Sequence, residues 1–143
     1  MSNLLELELI TPEGVLLQEK VQNLIAKTEQ GEIGILYNHA ELRAKLDNTP
    51  VRFTLADGKQ DIFAVLGGII ELSNNKITIL TNFAEQGAHI DEAQAKNEVQ
   101  KAETEFKLLS PNASKTDSNL IIAEVRLQRE LLRLKTARLF KEL

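Results

Sequence analysis

Leu5, Leu7 and Leu9 alternate with Glu6 and Glu8, so one face of the opening segment is apolar and the other charged. A period of two is that of a half-buried β-strand. Thr11, Pro12, Glu13 and Gly14 then supply turn chemistry. Short apolar runs follow at 15–17, 21–26, 33–36, 51–55, 62–66, 69–72 and 77–80, most of them bounded by Gly, Asn or Asp. Asp57-Gly58 and Asn74-Asn75 fall between such runs, where tight hairpins need residues that accept positive φ at little steric cost. Gly31, Gly34, Gly67 and Gly68 are read in the same way, as strand turns. Many short strands with frequent turns predict an antiparallel sandwich or barrel.

Near residue 90 the period changes. Asp91 is placed to cap a helix, and Ala95, Val99, Ala102, Phe106 and Leu109 recur at alternating steps of four and three. Ser110, Pro111, Asn112, Ala113 and Ser114 break that helix, because proline cannot donate and turns its predecessor away from helical angles. A second helix, capped by Asp117 or Ser118, then runs without Gly or Pro almost to Leu143. The chain thus divides into a β domain over 1–88 and a helical hairpin over 89–143.

The second helix carries three faces at about 100° per residue. Leu120, Ala123, Leu127, Leu131 and Leu134 form a stripe expected to pack on the first helix. Ile121, Val125, Leu132 and Leu139 form another, offset by about a third of a turn, which calls for a second partner. Arg126, Arg129 and Arg133 share a third sector about 60° wide. Six basic residues lie between Val125 and Leu143 against Glu130 and Glu142 alone, although the whole chain has a formal charge of −4. Glu130 cannot serve three arginines, so this face is either a solvated helix surface or a docking surface.

Composition narrows the chemistry. A chain of 143 residues has the size of one domain with an appendage, and with no Trp and few Phe or Tyr its core must come from Leu, Ile, Val and Ala. The absence of Cys excludes disulfides, thiolate metal sites and thiol nucleophiles. The acidic balance argues against nucleic-acid binding. Residues 1–6 lack the basic and apolar regions of a secretion signal, and no stretch nears the roughly twenty apolar residues of a membrane span. His39 and His89 are the two histidines, and neither has an evident nucleophile or metal partner. No phosphate-binding glycine fingerprint occurs. These readings favour a non-enzymatic adaptor over a small hydrolase.

Three segments together resemble the ε subunit of F-type ATP synthases: Thr11-Pro12-Glu13-Gly14, the run from Gly31-Glu32-Ile33-Gly34 through Ile35-Leu36-Tyr37-Asn38-His39-Ala40-Glu41-Leu42, and Val65-Leu66-Gly67-Gly68-Ile69-Ile70-Glu71-Leu72. Their order and spacing match, and the likeness continues through Ile90-Asp91 into the hairpin. The resemblance implies a β-sandwich of about ten strands in two antiparallel sheets, followed by a C-terminal α-helical hairpin. It implies a non-catalytic subunit at the foot of the rotating central stalk, coupling a proton- or sodium-driven rotor to ATP synthesis. Its partners would be the γ subunit and the c-subunit ring, with Tyr37, Asn38 and His39 as rotor contacts. The hairpin would either fold against the sandwich or extend along γ toward the α and β subunits, where it would inhibit ATP hydrolysis. Arg126, Arg129 and Arg133 would then meet an acidic segment of a catalytic β subunit. Membrane association would come only through the complex, at the cytoplasmic face of a bacterial plasma membrane or the equivalent face of an organellar one.

Two departures from the family pattern matter. Tyr37 and Glu41 stand where prolines are common, so the loop lacks that restraint. Some bacterial relatives bind regulatory ATP through an Ile/Leu-Asp-x-x-Arg-Ala motif, which falls here on Ile90, Asp91, Gln94 and Ala95. Glutamine offers hydrogen bonds without a permanent charge, which disfavours ATP as a ligand and leaves no other cofactor implied. The alternative function, a nucleotide sensor at the hairpin base, rests on those four residues.

Overall fold

A computed structural model describes residues 3–112 and 117–143. Seven strands, β1 (Leu5–Thr11), β2 (Gly14–Thr28), β3 (Gly31–Leu36), β4 (Leu42–Leu55), β5 (Gln60–Ser73), β6 (Lys76–Leu80) and β7 (Ala84–Gln86), precede two helices, α1 (Glu92–Leu109) and α2 (Ser118–Lys141). The strands pair in the order β1-β6-β5-β4-β2-β3; a further β1–β2 ladder closes the first five into a ring, while β7 lies on β5. All pairings are antiparallel except β1 with β6.

The alternation in β1 does what its period requires: Leu5, Leu7 and Leu9 are buried while Glu6 is exposed. They join Val21, Leu24, Ile35, Ile70, Ile77 and Ile79 in the core. Phenylalanine contributes more than composition suggested, since Phe53 and Phe63 stack in that core with ring centroids 6.1 Å apart.

The expected ten strands in two antiparallel sheets are corrected to seven continuous strands in one closed, barrel-like system. Three of the seven are long, at 15, 14 and 14 residues, and each does the work of two. The first half of β2 pairs with β1 and its second half with β3, with irregular register against β4 between. In β5 the expected break at Gly67 and Gly68 is absent. Both glycines take positive φ, +70° and +115°, and so redirect the strand without ending it. A Cβ on Gly68 would sit 2.1 Å from the Leu80 carbonyl oxygen of β6. Gly34 likewise lies inside β3 and makes no turn. Turns do occur at Gly31, Gly58 and Asn74-Asn75, each with positive φ.

Asp91 caps α1 by accepting from the Gln94 N–H, and Asp117 caps α2 by accepting from the N–H groups of Asn119 and Leu120. Of the expected breaker segment, Ser110–Asn112 forms a single 3-10 turn, while Ala113 and Ser114 lie outside the described residues. The apolar stripes of α2 are covered unevenly. Leu132, Leu134 and Ala137 are buried with Ala95 and Val99 of α1 and with Ala64 of β5, so the C-terminal half is gripped from both sides. Ile121, Ile122 and Val125 in the N-terminal half are exposed, as is Leu131, which was expected against α1. Gly87, in a 3-10 turn spanning Gly87–His89, permits the close fit at the far end. A Cβ there would lie 2.7 Å from Ile62 Cγ2 and 3.2 Å from Phe140 Cβ.

Candidate functional site: the arginine seam

Positions 126, 129 and 133 of α2 follow helical spacing, so their guanidinium groups leave the helix in one sector. In the structure that sector faces the molecule's own carboxylates. Arg126 reaches across to α1, its Nη1 donating to Glu105 Oε2 at 2.8 Å and its Nη2 to Glu98 Oε2 at 3.2 Å. Arg133 grips β7 with a two-pronged fork, Nε to Glu85 Oε1 at 2.7 Å and Nη2 to Glu85 Oε2 at 3.3 Å. Its Nη1 also donates to Glu130 Oε2 at 2.9 Å. Arg129 donates from Nε to Glu130 Oε1 at 3.3 Å and stands over the Phe83 ring, 5.8 Å from its centroid.

Burial ranks these contacts. The Arg133 side chain is only 14% exposed and that of Glu130 only 5%, whereas Arg126 and Arg129 are 36% and 42% exposed. The pair Arg133–Glu130, continued to Glu85, is therefore the part of the seam least screened by water. The Glu85 hydrogen bonds raise the Arg133 pKa above its ordinary value; burial opposes this and Glu130 adds to it. At the outer side of the hairpin, Arg126 and Lys101 hold the Glu98 carboxyl below the ordinary glutamate value. Glu92, at the start of α1, is held low in the same way by hydrogen bonds from Lys141 and Arg138 near the end of α2.

Sequence reasoning found the arginines but misjudged their surroundings. It counted only Glu130 as an internal partner. Glu98 and Glu105 stand seven apart on α1 and so share a face, a signal that periodicity could have supplied. Glu85 lies in a three-residue strand too short to show a period. That strand is why the strongest contact of the seam was missed.

The other candidates lie apart in sequence and in role. Ile90 and Ala95 are buried, the Asp91 carboxylate serves as the α1 cap, and Gln94 is exposed. Tyr37, Asn38 and His39 form an exposed connection after β3. The connection is restrained in place of the missing prolines: the Asn38 N–H donates to Asn75 Oδ1 at 2.7 Å, and Asn75 Nδ2 donates back to Asn38 Oδ1 at 3.2 Å. Among the described residues no His, Asp and Glu side chains gather as a metal site requires, and no helix is long and apolar enough to cross a membrane.

Residues 4–87 match the family model described as the ATP synthase delta/epsilon chain β-sandwich domain. The chain belongs to the ATP synthase epsilon chain family. An ATP synthase epsilon chain of Carboxydothermus hydrogenoformans is 37% identical over 111 residues, covering 78% of this chain and 82% of the relative. The chloroplastic epsilon chain of Daucus carota is 33% identical over 128 residues, covering 90% and 96%. The family match reaches the strands, and these relatives carry it into the hairpin. Among solved structures, a chain of the Euglena gracilis mitochondrial ATP synthase OSCP/F1/c-ring assembly superposes with a TM-score of 0.75 at 22% identity, covering 97% of this chain and 83% of that one. A chain of the Tetrahymena thermophila mitochondrial ATP synthase central stalk and c-ring gives 0.60 at 16% identity, covering 93% and 96%. These two are likenesses of fold.

Proposed function

We propose that this protein is a non-catalytic central-stalk subunit of an F-type ATP synthase whose hairpin acts as a brake on ATP hydrolysis. The β domain over 1–88 attaches to the γ subunit and the c-subunit ring, with Tyr37, Asn38 and His39 as rotor contacts. The hairpin over 89–143 regulates. Family membership supports the stalk assignment, and the arginine seam is the observation that carries the brake. Arg126, Arg129 and Arg133 bind Glu98, Glu105, Glu130 and Glu85 when the hairpin is docked. Release would free those permanent charges for an acidic segment of a catalytic β subunit, so that one set of carboxylates exchanges for another. Association with the membrane is through the complex.

The test is ATP hydrolysis by the reconstituted enzyme with three versions of the chain: full length, truncated before Asp91, and carrying Arg126→Ala, Arg129→Ala and Arg133→Ala together. Truncation is expected to raise hydrolysis while the chain still assembles with γ. The triple variant is expected to raise it too, because a hairpin released without its arginines lacks the charges that would hold it against the catalytic β subunit. Hydrolysis unchanged by either would overturn the brake. Nucleotide sensing at Ile90, Asp91, Gln94 and Ala95 is disfavoured, since Asp91 is engaged as a cap and Gln94 brings no charge.

A further inference from the structure

On another side of α2 the chain builds a second basic cluster that the seam does not use. Lys27 of β2, Arg52 of β4 and Lys135 of α2 line one cavity of about 290 Å³ where the second helix meets the sandwich. Among the described residues none of the three has a carboxylate within ion-pairing distance, whereas Arg43 and Lys45, on the same strand as Arg52, are paired with Glu71 and Glu29. Glu32 is the one acidic residue in the lining. Three cations against one carboxylate leave a local charge of +2 on a protein whose net charge is −4. Such a local excess of positive charge attracts anions.

We propose that this cavity binds a phosphate-type oxyanion. The charge fits, because a phosphate group carries about −1.5 to −2 near neutral pH. The residue types fit too: one arginine and two lysines from three elements line the cavity, together with Asn48. Thr49 is not free to help, since its hydroxyl accepts from the Lys27 N–H and donates to the Pro50 carbonyl. The size restricts the ligand. A volume of 290 Å³ lies at the floor of the range of about 300–1,000 Å³ typical of organic-ligand pockets, which suits phosphate, diphosphate or the phosphate tail of a nucleotide whose base stays outside.

Because Lys135 belongs to the helix and Lys27 and Arg52 to the strands, the anion ties the hairpin down. Binding only the docked form slows release of α2 in proportion to 1 + [L]/Kd, about a hundredfold at a hundred times Kd. The cavity shares no residue with the arginine seam.

The full-length chain would be titrated at constant ionic strength with inorganic phosphate, diphosphate and ATP, each followed by calorimetry, with hydrogen exchange of α2 measured at saturation. Saturable binding is expected, weakened about tenfold or more by Arg52→Gln and by Lys135→Gln, as befits loss of one charged hydrogen-bond donor. Lys45→Gln, which removes an exposed cation outside the cavity, should change nothing. All three residues are wholly or partly exposed, and circular dichroism of each variant checks that it folds. Comparable affinity for diphosphate and ATP identifies a free anion. Much tighter ATP binding, still lost in both cavity variants, identifies a nucleotide tail. No saturable binding by any of the three, or binding indifferent to both cavity variants, overturns the proposal.

Discussion

Arg133→Met should detach the second helix from the sandwich without unfolding the sandwich. Methionine keeps an unbranched stem against the apolar seam but removes the fork to Glu85 and the bond to Glu130, three contacts at 2.7, 3.3 and 2.9 Å. Removing one partner of a fully buried ion pair costs roughly 3–5 kcal/mol, because the other charge is left stranded. Glu85 is 26% exposed and recovers some hydration, and Glu130 keeps Arg129 at 3.3 Å, so about 2–3 kcal/mol is the appropriate range. At 1.4 kcal/mol per factor of ten, the docked-to-released ratio falls roughly 30- to 150-fold. Native-state hydrogen exchange measures this directly. Amides around Leu132, Leu134 and Ala137 should lose protection by that factor, while those of Ile70 and Ile77 in the barrel core keep theirs. If the helix amides change less than threefold, the seam does not hold the hairpin. Equal losses in helix and barrel would show that the two open as one unit, which would equally refute the reasoning.

Three further outcomes follow from particular atoms. The buried Thr136 hydroxyl has no hydrogen-bond partner among the described residues, so isosteric Thr136→Val should stabilise the chain by about 1 kcal/mol, read as a higher urea midpoint. Gly68→Ala should cost more than about 3 kcal/mol, since it combines a positive φ with a Cβ 2.1 Å from a backbone oxygen, and a thermal melt by circular dichroism would show it. Acidification should loosen the pairing of the two helices. Glu98 and Glu92 are held below the ordinary value of 4.5, so their contribution is present above that value and fades as pH falls through their lower folded values. Methyl NMR signals of Ala123 and Leu127 followed from about pH 6 to about pH 3 would report it, and signals constant across that window would contradict it.

The elements most legible in the sequence were those whose pattern is local. Alternation marked β1, steps of three and four marked α1, and the pair Asp117-Ser118 marked the start of α2, of which Asp117 is the cap, because a cap acts on its own next residues. What escaped depends on partners far along the chain. Pro50 falls inside β4 and Gly67-Gly68 inside β5, where ladders with neighbouring strands override local breakers. The arginine sector was visible, but its inward direction depends on Glu85, which lies 48 residues before Arg133. Spacing along one helix cannot specify which way that helix is turned when it docks.

The closure of five strands into a ring bears on how the domain carries load. Its ladders bind β1 to both β2 and β6, so force applied along one strand is shared as shear by rows of bonds on two sides. Peeling such a strand requires breaking those rows together. An open sheet would instead yield one bond at a time from its edge. For a body proposed to sit on a turning shaft, the ring makes the domain a stiff collar.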